Sequence, residues 1–62
     1  MRIHAAFEHL SVEHRLVLTL HYIDDLTTAE IADTLGRSPK SVEGLVTRAR
    51  RNLKRELERA DA

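Results

Sequence analysis

Apolar residues recur along this chain at the three-and-four spacing of amphipathic helices. Ile3, Ala6, Phe7 and Leu10 predict a first short helix over residues 3–10. Val12, Leu16, Val17, Leu20 and Ile23 form the expected core stripe of a second helix over 12–23, with Leu18 and Tyr22 widening it. On that reading His14, Arg15 and Thr19 lie off the centre of the stripe. Asp24 and Asp25 break the pattern, and Leu26 is placed to pack as a hydrophobic staple ahead of the next helix. Ala29, Ile31, Ala32 and Leu35 then give a helix over 28–35 one buried face. Val42, Leu45, Val46, Ala49, Leu53 and Leu57 do the same for a long helix over 39–58. The expectation is an all-α domain of four helices joined by short loops.

The boundary residues sharpen this picture most between Thr27 and Leu57. Thr27 and Glu30 have the spacing of a capping box, in which hydroxyl and carboxylate satisfy each other's exposed amides. Gly36 can end the helix in the left-handed conformation at low cost. Ser38 can cap the next helix, and Pro39 falls at its first position, where no amide hydrogen is needed. Ser11 can cap the second helix, with Glu13 near its positive end. A short helix, a tight turn and a long helix make a helix-turn-helix, whose second helix can lie in a DNA major groove.

Composition limits the alternatives. At 62 residues there is room for one small domain, which buries only about 60% of the surface of its unfolded chain. A deep catalytic pocket is not expected at that size, so the chain is not read as an enzyme. It contains no cysteine, which excludes a disulfide scaffold and a thiolate zinc site. No apolar run approaches the roughly 20 residues that span a bilayer, and no signal peptide precedes the first helix. No membrane association and a cytoplasmic location are therefore expected, and modules of this size are usually parts of longer chains.

The net charge of zero conceals a division. Residues 1–36 hold two arginines against six carboxylates, a balance of −4, whereas residues 37–62 hold eight basic residues against four acidic ones, a balance of +4. A segregated basic half suggests a polyanion as partner. Over 54–59 the charges can also pair along the helix, Lys54 with Glu58 or Glu56 with Arg59. Over 37–51 acidic partners are scarce.

The four histidines, His4, His9, His14 and His21, do not have metal-ligand spacing. His14 and His21 would stand roughly 10 Å apart on one helix, too far to share an ion. They are expected at the surface or at an interface. The serines and threonines have capping or surface explanations, so neither a catalytic group nor a metal or cofactor is expected.

On the long helix, Gly44, Thr47, Arg48, Arg51 and Arg55 lie opposite the apolar set at roughly 100° per residue. Side chains near the start of such a helix reach base edges, while arginines further along reach phosphates and position rather than specify. Gly44 costs about 1 kcal/mol relative to alanine in an exposed helix interior. Either its missing side chain lets a nucleic-acid backbone approach, or it is a tolerated defect or a close helix contact. Glu43 could accept from a cytosine amino group, or pair with Lys40 one turn earlier.

Three runs together resemble region 4 of bacterial sigma-70-type factors, especially the extracytoplasmic-function group. They are LSVEHRLVLTLHY (10–22), LTTAEIADTLGRSPKSV (26–42) and RARRNL (48–53). The resemblance covers about residues 5–57. The EIAxxLG segment alone is shared by many helix-turn-helix proteins, but its combination with Ser41-Val42 and the RAR segment is far more specific. Response-regulator domains with a similar segment usually lack that RAR segment and rank second.

The resemblance implies a helix-turn-helix of the winged-helix-like DNA-binding superfamily, without a wing. It implies recognition of the promoter −35 element in double-stranded DNA, with RNA polymerase core as partner through the flap of its β subunit. Many such domains are also held by an anti-sigma protein. Carried onto this sequence, the groove-facing positions are Arg37, Ser38, Pro39, Lys40, Ser41, Glu43, Gly44, Thr47 and Arg48. Arg51 adds a backbone contact, and Thr27 or Thr28 touches phosphate. Family members commonly have a basic residue at 43, serine at 44 and often arginine at 45, where this chain has Glu43, Gly44 and Leu45. The departure bears on DNA affinity and sequence preference, and leaves a mainly protein-binding role as the alternative. The sigma region that melts the −10 element is not in this sequence, so these residues alone are not expected to initiate transcription.

Overall fold

The computed structural model describes residues 2–61, with side chains described for 4–59. Four helical segments follow one another: α1 (Arg2–Glu8), α2 (Val12–Leu18), α3 (Thr28–Leu35) and α4 (Pro39–Asp61). α2 continues into a π turn, Thr19–Ile23. No strand occurs among the described residues, so the fold is all-α and has no wing.

Local chemistry sets most boundaries. α2 starts at Ser11, whose hydroxyl accepts from the His14 amide at 3.2 Å. At Thr27 the capping box is complete: its amide donates to the Glu30 carboxylate at 2.8 Å, and its hydroxyl accepts from the Glu30 amide at 3.1 Å. Gly36, at φ 69°, ends α3 in the left-handed conformation. The Arg37 amide then folds back to the Ala32 carbonyl at 2.9 Å, the closing bond of a Schellman turn. Ser38 caps α4 through the Ser41 amide at 3.1 Å.

Two ends differ from the sequence expectation. α1 stops at Glu8 rather than 10, because His9 and Leu10 turn back with amide bonds to Ala5, Ala6 and Phe7. That turn lets Leu10 drop into the core. α4 runs on to Asp61 rather than 58. At 1.5 Å per residue its 23 residues make a rod of roughly 35 Å, close to the 37 Å long axis of the molecule. The other helices pack along this rod.

The core contains Leu10, Val17, Leu18, Ile31, Ala32, Val42, Leu45, Val46 and Ala49, edged by Phe7, Leu20, Leu26, Leu35 and Leu53. Leu26 thus joins the core that holds Ile31, as a staple requires. Ala29, expected on the buried face of α3, is exposed. The side chain of Ile3, assigned to the stripe of the first helix, lies outside the described residues.

The larger correction concerns α2. Val12 is 71% exposed, Leu16 41%, Tyr22 53% and Ile23 72%, so these members of the apolar set read from the sequence face outward. Of that set the core keeps Val17 and Leu18, with Leu20 at its edge, and half-buries His14 and His21 beside them. Both histidines are hydrogen-bonded there, His14 Nδ1 with the Asn52 amide at 3.2 Å and His21 Nδ1 with the Leu26 carbonyl at 2.8 Å. Those bonds remove the penalty of burying a polar ring, so a face with two histidines can serve as a core face. The π turn then slips the period once more: the Asp24 amide bonds to the Thr19 carbonyl five residues back, at 3.0 Å, ahead of the outward-facing break at Asp24 and Asp25.

Candidate nucleic-acid interface

α4 has two unlike faces. Val42, Leu45, Val46 and Ala49 are at most 4% exposed and anchor the helix against α2 and α3. Apolar burial of this kind contributes about 1.5–3 kcal/mol for each large side chain, which fixes how α4 is turned about its axis. With that rotation fixed, Lys40, Ser41, Glu43, Thr47, Arg48 and Arg51 are exposed. Arg37, Ser38 and Pro39 extend the exposed surface back through the turn, and Gly44 is half-buried within it.

Several of these groups already have hydrogen bonds. The Thr47 hydroxyl donates to the Glu43 carbonyl at 2.9 Å, so its proton is held by the helix while its methyl group and oxygen lone pairs remain. The Ser38 oxygen is used by the cap, and its hydroxyl proton is left for another acceptor. Thr27 has both its amide and its hydroxyl oxygen in the capping box, and Thr28 is half-buried beside it. A Cβ built on Gly44 would meet only the end of the Arg48 side chain, at 3.4 Å. No helix packs closely there, which removes the packing explanation for this glycine. Among the described residues Lys40 and Glu43 form no ion pair, nor do Lys54 and Glu58, whereas Glu56 and Arg59 pair at 3.1 Å.

Arg37 departs from the expectation that the basic stretch lacks acidic partners. Its guanidinium pairs with the carboxylate of Glu13, in the first turn of α2 and 24 positions earlier in the chain. No local spacing signals a partner so distant, and the sequence places Glu13 only near the positive end of α2. Arg50, off the basic face, donates to the Tyr22 hydroxyl at 3.0 Å. Arg48, Arg51 and Arg55 remain exposed.

The arrangement is a capped helix N-terminus with small polar side chains, followed by cations along the same exposed side. It can offer hydrogen bonds to base edges near its start and charge to phosphates further along. Compared with known families, residues 1–53 match the profile described as Sigma-70, region 4. No curated protein matches the chain, and no solved structure does.

Proposed function

Because the chain belongs to the sigma-70 region 4 family, a DNA-binding component of transcription initiation by RNA polymerase, we propose that it reads the promoter −35 element. In this reading the exposed face of α4 enters the major groove. Thr47 offers its methyl group to a thymine, and Arg48 bonds a base edge or a flanking phosphate. Glu43 accepts from a cytosine amino group, and Gly44 lets the DNA come close. Arg37, Lys40 and Arg51 hold phosphates, with Ser38, Pro39 and Ser41 at the groove entrance. The Thr27 hydroxyl and Thr28 touch the backbone at the start of α3. The observation that carries this is the burial of Val42, Leu45, Val46 and Ala49, which leaves the basic face outward.

The domain would act in the cytoplasm, directing the polymerase core, and the motif resemblance favours the extracytoplasmic-function group. A second surface supports a protein-binding role beside the DNA role. Phe7, Leu18, Tyr22, Ile23 and Leu53 line an apolar groove together with His4 and Arg50, suited to the β flap or an anti-sigma protein.

Fluorescence anisotropy with duplexes randomised across a −35-length window, at two salt concentrations, tests the proposal. A preferred sequence is expected, weakened by about 1–3 kcal/mol in Thr47→Ala or Arg48→Ala if each reads a base. Salt-sensitive binding without preference would reduce the role of α4 to backbone contact. No binding at low salt would remove the DNA reading for this domain and leave the protein-binding one.

A further inference from the structure

Two ion pairs between arginine and a carboxylate occur among the described residues. One lies within a single helix, Arg59 with Glu56. Only Glu13–Arg37 joins two elements, tying the first turn of α2 to the turn of the helix-turn-helix. Both side chains are part-exposed, at 46% for Glu13 and 40% for Arg37, so solvent and ligands can reach the pair. The Arg37 backbone is held independently by its amide bond to Ala32. The guanidinium therefore does not need the carboxylate to stay at the turn.

We propose that Glu13 is an internal competitor for DNA phosphate at Arg37, and so sets the sequence-independent part of the affinity of this domain. A guanidinium takes a carboxylate or a phosphate oxygen through the same planar fork of donors. To give that fork to DNA, Arg37 must leave Glu13 or share it, and the carboxylate then stands close to a phosphate of like charge. Either way the pair subtracts from binding. Because it acts on a backbone contact, it subtracts equally from preferred and unrelated sequences, and so raises the share of affinity left to the base-reading side chains. This inference rests on the reading of Arg37 as a phosphate contact.

The test uses the 62-residue chain with wild type, Glu13→Gln, Arg37→Gln and the double variant. Each is titrated against a preferred and a scrambled duplex at several salt concentrations, and thermal unfolding by circular dichroism checks the fold. Glu13→Gln is expected to tighten binding to both duplexes by up to about fivefold, the upper range for an exposed pair. Arg37→Gln should weaken binding and flatten the salt slope by about 0.9. The gain from Glu13→Gln should shrink sharply in the Arg37→Gln background. Two outcomes overturn the proposal while leaving DNA binding intact. If Glu13→Gln weakens binding, the carboxylate positions the guanidinium rather than competing for it; if Arg37→Gln binds like wild type, Arg37 is not a contact. Failure of the wild type to bind either duplex at low salt overturns the parent reading instead. A purely structural role for Glu13 would leave the affinity for both duplexes unchanged in Glu13→Gln, which also contradicts the proposal.

Discussion

In α3 and α4 the large apolar residues gather on one face, and that face is buried. In α2 and its π turn they lie on two faces, and the core takes the one that carries histidines. The difference lies in how many arrangements satisfy the same residues. Along the first half of α4, the side opposite Val42, Leu45, Val46 and Ala49 is charged or small, so only one rotation buries apolar surface without stranding charge. In α2, Val12, Leu16 and Ile23 could have formed the core stripe as well as Val17 and Leu18. On the face the core takes, the polar rings have partners, Asn52 for His14 and the Leu26 carbonyl for His21. Helical period locates a buried face when there is one candidate, and leaves the choice to packing and hydrogen bonding when there are two.

Substitutions on the two kinds of apolar residue give the sharpest contrast. Ile31→Ala removes a side chain with no exposed surface and is expected to cost about 2–5 kcal/mol, enough to unfold much of a domain this small. Val12→Ala and Ile23→Ala, at the exposed stripe, should each change stability by no more than about 0.5 kcal/mol. Urea unfolding measures all three. A large loss at Val12 or Ile23 would mean that the outward stripe is structural after all.

Thr27→Ala tests the boundary chemistry of the legible half. Both capping-box bonds depend on this residue and Glu30, and loss of the hydroxyl should cost about 1 kcal/mol by the same unfolding measurement. A neutral result would place the start of α3 under tertiary control.

Gly44→Ala should change stability in the opposite direction. The added methyl has room, its nearest neighbour being the mobile end of Arg48, so the fold should gain up to about 1 kcal/mol from helix propensity. If DNA comes close at this position, the same variant binds the preferred duplex more weakly while melting higher. If affinity is unchanged, Gly44 is only a defect in the helix.

Most of the helix-turn-helix was legible because it is written locally. The Thr27 box, Gly36, Ser38 and Pro39 act within a few residues of themselves, and the apolar period of α4 needs no partner to be read. What escaped was long-range. Glu13 meets Arg37 across 24 positions and Asn52 meets His14 across 38, and neither pair has a local signature. The π turn was hidden too, because Thr19 to Ile23 differ little in composition from an ordinary helical turn. Ala29 was misplaced because an alanine fits either face of a short helix.

The central claim is that the exposed face of α4, and not the outward stripe of α2, meets DNA. Backbone amide chemical shifts of the isotope-labelled chain, titrated with the preferred duplex, test it most directly. The account predicts that the largest perturbations fall on residues 37–51, with a second set at Thr27 and Thr28, while Val12, Leu16 and Ile23 stay in place. Perturbations concentrated on those three residues and the groove beside Tyr22, with α4 unmoved, would contradict it.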